Sequence, residues 1–185
     1  MFRRRESCLD SALEFRAKQI DLARVVVDTG PLLSVLVLRY AHTLEPRAAE
    51  ALIARSRIAS YLHAMDQQAS ILQLFERVDT ILTSSHVIAE IQGLHRLRGD
   101  YCRDFWLLTM DWLESKRLDE RLIRLLDLST DQRWKRVTSD IGPTDTGLIT
   151  IAFREGIPLL TDDKDTLARQ GWEQGIDCQL VEGLL

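Results

Sequence analysis

Cysteine is scarce in this chain: Cys8, Cys102 and Cys178 are the three in 185 residues. An odd count with no C-x-x-C pair and no histidine at zinc-ligand spacing excludes a disulfide framework and a structural zinc site, and it fits a reducing cytoplasm. The 9 glycines and 4 prolines are scattered, so no flexible linker is expected, and no internal repeat is present. Basic residues are not in excess. With 24 Lys+Arg against 28 Asp+Glu the net charge is -4, so any contact with nucleic acid needs a local patch rather than the field of the whole molecule. Long apolar runs are missing too. The longest, 25–38, is broken by Asp28, Gly30 and Pro31 and is shorter than the ~20 residues that span a bilayer. After Arg3-Arg4-Arg5 no apolar segment of a secretion signal follows, so neither export nor membrane attachment is expected.

What remains is an ordinary globular composition, 45% hydrophobic and 28% charged. At ~150 residues per domain the chain is one domain, 24–185, preceded by an extension, 1–23, that is expected to be helical over 11–23.

The strongest local signal is Val25-Val26-Val27-Asp28, a β-branched run of the buried-strand type, which stops at Thr29-Gly30-Pro31. Proline is favoured in the first turn of a helix, so a helix over 32–40 should leave the strand directly, with Asp28 at the strand's carboxyl end. From Pro46 to Val78 the apolar spacing is helical, as two helices or one bent one. A strand at 80–83 leads through Ser84-Ser85 to a helix over 86–98, closed by Gly99, and another helix covers 101–116. The segment 122–126 reads equally as strand or helix. Helices are predicted over 130–138, from Pro143 to Arg154 with Gly156 as the stop, and from Asp163 to Gln170, with strands at 157–160 and 176–181. Strands alternating with helices predict an α/β fold around a mainly parallel sheet, whose ligands gather at the carboxyl ends of the strands.

Four acids fall at or near such ends: Asp28, Glu90, Asp145 and Asp163. Each also has a plain structural role open to it. Asp28 and Asp163 are placed to cap the helices that follow, with Asp162 and Asp165 competing for any special role at the latter position, and Asp145 suits the positive end of its helix. Glu90 lies three residues after Val87 and four before Leu94, at the margin of an apolar helix face, where a buried carboxylate would need a partner or a cation. Far apart in sequence, these acids can meet only through the fold. If they meet without cations they repel one another, a repulsion that Mg²⁺ or Mn²⁺ removes, and such a metal can present an activated water to a phosphodiester.

VVVDTGPLL around Asp28, SSHVIAEI around Glu90 and TDTGLITIAFREGIPLLTDDKD from Thr144 to Asp165 make the chain resemble a PIN-domain ribonuclease, most closely the toxin members of the VapBC toxin-antitoxin class. The resemblance implies a compact three-layer α/β/α domain, to which this chain's own pattern adds extra helices between the first and second strands. It further implies a metal-dependent endoribonuclease in which Asp28, Glu90, Asp145 and Asp163 hold Mg²⁺ or Mn²⁺. Thr29 or Thr161 would shape the pocket by hydrogen bonds, and Asp165 would be an auxiliary ligand at best. RNA as substrate, a protein antitoxin and a homodimer are the partners it implies. The helical stretch 44–78 is longer than in compact toxin members, and Thr166-Leu167 stands where an aromatic often follows the last acids. The alternative from another class is an inactive PIN-like domain that binds RNA or a protein.

The other chemistry-bearing residues read as structural. His42, His63, His86 and His95 form no metal spacing and are expected in surface or capping roles. His95, Arg96 and Arg98 form a short basic stretch on the Glu90 helix, as Arg3 to Arg5 do at the terminus; either could contact phosphates, and a solvated face is the expected role. Trp106, Trp112, Trp134 and Trp172 are expected in the core or at an interface.

Overall fold

A computed structural model describes residues 22–185. The helix expected over 11–23, the arginines at 3–5 and Cys8 lie outside the described residues, except that Leu22 and Ala23 enter the first strand without helix. Strand β1 (Arg24–Val27) carries Val25, Val26 and Val27 wholly buried, as a run without alternation requires when both sheet faces are covered. It pairs in parallel with β2 (Thr80–Ser84) on one side, Val25 opposite Ile81, and with β4 (Leu159–Thr161) on the other, Val27 opposite Leu160. Strand β3 (Asp119–Arg121) lies outside β2 and β5 (Cys178–Leu180) outside β4. The result is a five-stranded, all-parallel sheet in the order β3-β2-β1-β4-β5.

Helix α1 (Thr29–Ala41) is apolar on nearly every side and is buried accordingly. Around it pack α2 (Pro46–Ile53), α3 (Arg57–Ala64), α4 (Gln68–Glu76), α5 (Ser85–Leu94) and α6 (Gly99–Ser115). A second group, α7 (Leu125–Thr130), α8 (Gln132–Ile141) and α9 (Pro143–Glu155), packs through α9 on β1, β2 and β4. A π-helical turn, Lys164–Ala168, then runs into α10 (Arg169–Glu173), and α11 (Val181–Leu184) closes the chain. Two helix groups against one parallel sheet are compatible with a three-layer α/β/α arrangement. Among the described residues no helix is long and apolar enough to cross a membrane.

Several boundaries differ from the sequence reading. The stretch 46–76 is three helices rather than one or two, because Ser56 accepts a hydrogen bond from Ala59 N at 3.3 Å and so caps α3, and Asp66 at φ 55 ends it. Helix α5 stops at Leu94, short of 98. His95 and Arg96, the latter in the left-handed region at φ 54, turn the chain, and Gly99 at φ 58 opens α6 instead of closing α5. The ambiguous segment 122–126 is no strand and is helical only from Leu125, where α7 begins; the strand is the polar Asp119–Arg121, with Asp119 paired to Leu82. Asp131 caps α8 by accepting from Arg133 N at 2.8 Å, which moves that helix from 130–138 to Gln132–Ile141. The last two strands are shorter than expected, at Leu159–Thr161 and Cys178–Leu180. Gly156 at φ 64 does stop α9.

Trp112 and Trp134 are buried in the core, whereas Trp172 is 47% exposed and donates through Nε1 to Cys178 O at 3.0 Å. Cys178 is buried under α10, where burial pushes its thiol up to about 12 and leaves it unreactive. A Cβ on Gly171 would stand 2.1 Å from Cys178 Sγ. Gly171→Ala is therefore expected to cost about 2 kcal/mol, measured by urea unfolding. Adding Cys178→Ala should return most of that loss, and a double variant no more stable than the single one would show that the clash is not the cause.

Candidate functional site

The chain order reverses between β1 and β4: from β1 it proceeds toward β2, and from β4 toward β5. In open parallel sheets the crevice at the carboxyl ends of such neighbouring strands is the usual ligand site. Here it is a cleft of about 650 Å³. Asp28, Glu90 and Asp163 line it, together with Asp162 and Asp165 on the β4 side.

Asp28 follows β1 directly. Its Oδ1 accepts from Thr29 N at 2.6 Å, as the cap of α1, and its Oδ2 accepts from Thr161 Oγ1 at 2.7 Å. Thr161 in turn accepts from Asp163 N at 3.0 Å, so one hydroxyl ties the end of β1 to the end of β4. Asp163 caps the π-helical turn by accepting from Thr166 N at 2.9 Å. The capping roles open to Asp28 and Asp163 are thus filled while both still face the cleft.

Glu90 corrects the sequence reading. The buried face of α5 is carried by Val87 and Ile91, and Glu90 is exposed on its flank, turned to the cleft rather than the core. No burial cost weighs on it. Its Oε2 accepts from Thr29 Oγ1 at 2.6 Å, which joins α5 to the start of α1. A helical wheel identifies the side of the helix but not what stands opposite.

Asp145 stands in the first turn of α9 and does not line the cleft itself. It is nonetheless within electrostatic reach of the others: burial, and then the charges of Asp163 and Glu90, push its carboxyl up to about 6. Asp28 is raised further. Burial is the main cause, Asp162 and Asp145 add to it, and the hydrogen bonds from Thr161 and Thr29 recover part, leaving it at about 7. An acid caught between protonated and ionised near neutral pH, in a cleft beside further acids, marks a functional-site candidate.

Among the described residues no three His, Cys, Asp or Glu side chains stand close enough together to hold a metal ion as a ready-made cage. The donor chemistry here is all oxygen, and each carboxylate oxygen in use keeps a free lone pair. Such a set fits a hard cation that keeps most of its waters and takes one or two carboxylates directly, as Mg²⁺ does, and does not fit a closed all-protein cage.

Two residues of the cleft go unmarked in the sequence, and a third, Arg96, belongs to the basic stretch expected on the Glu90 helix. Arg55, in the turn after α2, and Lys164, at the start of the π-helical turn, line the same cleft; Arg96 lines it too, beyond the end of α5 rather than on it. Nothing in a local sequence window distinguishes these cations from solvated ones. His95 also departs from expectation. It is 5% exposed, in ring contact with Phe105 and Trp106, and burial holds its imidazole below the ordinary range. Compared with protein-family models and with curated proteins, the chain has no match.

Proposed function

We propose that the chain is a metal-dependent endoribonuclease of the PIN type. The observation that carries the reading is the concentration of carboxylates at the strand-order reversal, with Asp28 and Asp145 raised to about 7 and about 6 by burial and by the charges of neighbouring acids. A divalent cation removes that repulsion and supplies a nucleophile by lowering the pKa of a bound water. Mg²⁺ or Mn²⁺ would be held by Asp28 together with Glu90, Asp145 and Asp163, some of them through water. Thr161 and Thr29 orient the Asp28 carboxylate, and the Thr29 hydroxyl also holds Glu90. The cations Arg55, Arg96 and Lys164 around an acidic floor suit a phosphodiester, whose negative charge both the metal and the rim would offset. In this reading the protein works in the cytoplasm, where the free thiols of Cys102 and Cys178 persist, and it is the toxin of a toxin-antitoxin pair, held by a protein antitoxin and dimeric.

The alternative from another class is an inactive PIN-like domain that binds RNA or a protein without cleaving it. Cleavage decides between the two. Purified protein incubated with a pool of single-stranded and structured RNA is expected to cut it with Mn²⁺ and not with EDTA. Equal inactivity with and without metal, in folded protein, would leave the binding module as the better account.

A further inference from the structure

Arg55 and Arg96 reach one cleft from two elements with no connection in sequence, the α2–α3 turn and the turn after α5. Both side chains are exposed, and among the described residues neither forms an ion pair, although five acids line the same cleft. Two guanidinium groups beside so much negative charge, yet unneutralised by it, are available to an anion.

The turn that presents Arg96 is built rather than loose. Arg96 holds φ 54, a conformation that L residues other than Asn or Asp visit at a cost of about 1 kcal/mol or more. What holds it is the neighbouring side chain: Leu97 N donates to His95 Nδ1 at 2.9 Å, closing the turn around Arg96. His95 itself packs in a three-ring cluster with Phe105 and Trp106, with ring centroids 5.0 Å and 5.7 Å away. A strained residue fixed by a buried histidine and aimed at a cleft is the pattern in which strain accompanies function.

We infer that Arg55 and Arg96 are positioning residues that grip the phosphates flanking the scissile bond of a single RNA strand. The inference rests on the nuclease reading and names the substrate form and the groups that hold it. A cleft of about 650 Å³ admits a few nucleotides of one strand, whereas a duplex would have to be straddled from outside. Guanidinium groups bind phosphate oxygens bidentately, which fixes the backbone's orientation without reading the bases. The pair therefore sets where the strand lies over the acids and carries no sequence preference.

The test uses Arg55→Gln, Arg96→Gln and the double variant, with Arg→Lys at each position as the conservative control. Binding of a fluorescein-labelled, mixed-sequence single-stranded oligoribonucleotide is followed by anisotropy with Mn²⁺ in the Asp28→Asn background, so that the strand stays whole. Each Gln variant is expected to bind about 10-fold more weakly. The slope of log affinity against log salt should flatten by about 0.7 for each arginine–phosphate pair removed, and Lys should restore much of both. In the otherwise wild-type enzyme the same changes should raise KM with little effect on kcat, and they should leave the melting temperature and Mn²⁺ titration unaltered. If the wild-type enzyme cuts RNA and the Gln variants bind and cut as it does, the inference fails while the nuclease reading stands. If neither binding nor cleavage of single-stranded RNA is found in the parent proteins, both fall together. Tighter binding to a duplex than to a single strand overturns the assigned substrate form.

Discussion

Replacing Asp28 by Asn is expected to abolish RNA cleavage while making the metal-free protein more stable at pH 8. The two effects have one origin. Asp28 is 9% exposed, and its carboxyl, ordinarily at 3.8, is raised to about 7 by burial and by the charges of Asp162 and Asp145. Because the native value lies above the unfolded one, the native state holds the proton more tightly. The stability this group contributes is fully present below about pH 4 and is lost as the pH rises through about 7. By pH 8 the loss amounts to a few kcal/mol, at about 1.4 kcal/mol per pH unit between the two values. Asparagine has the same shape and no charge. Its amide oxygen can still accept from Thr29 N, and its amide nitrogen can donate to Thr161 Oγ1, so both native contacts have a successor. We expect a gain of about 2 kcal/mol, or roughly 5 °C in a chain of this size, measured by calorimetry at pH 8 in EDTA. The metal's electrostatic contribution is several kcal/mol, so cleavage should fall on the order of 10³-fold. A variant that keeps its activity would remove Asp28 from the chemistry, and one that melts lower than wild type at pH 8 would show that its charge is compensated within the fold.

Divalent metal is expected to stabilise the wild type strongly at pH 8 and little at pH 5. At pH 5 the protons on Asp28 and Asp145, with values of about 7 and about 6, compete with the cation for the same oxygens. At pH 8 the carboxylates are ionised and the cation relieves their repulsion. With free Mn²⁺ at 100 times its dissociation constant the stabilisation is about 2.7 kcal/mol, which corresponds to roughly 8 °C here. Without metal the melting temperature should decline between pH 4 and 7 as these groups ionise. Thermal melts at the two pH values, with Mn²⁺ and with EDTA, separate the cases. An equal shift at both would place the binding elsewhere, and no shift at either would argue against a metal site in this cleft.

The acids illustrate which part of the site could be read from the chain. Asp28 was legible because three buried valines end there and Thr29-Gly30-Pro31 starts a helix at once, a sequence of local events needing no knowledge of the rest. Asp163 was legible for the same reason, at the end of β4. Glu90 reaches the cleft against the expectation from its helix position, which suggests burial where the fold turns the side chain outward. Asp145 was expected among the four and stands beside the cleft rather than in its wall.

Strand β3 shows a second kind of limit. Asp119-Glu120-Arg121 has no apolar signal, and it is a strand only because the edge of β2 offers it hydrogen-bond partners. The break of 46–76 into three helices was likewise hidden in small local devices, the cap at Ser56 and the left-handed Asp66.

By itself the sequence determined the class of fold, the central strand, the strand-turn-helix at Asp28 and the candidate acids, because each depends on periodicity, capping or turn chemistry within a dozen residues. Only the tertiary structure decided that β1 and β4 lie side by side, that Thr161 hydrogen-bonds Asp28, that Glu90 meets Thr29, and that Arg55 and Arg96 face the same acids. Those are contacts between residues dozens of positions apart. Their formation depends on the packing of whole elements, and no local preference encodes it.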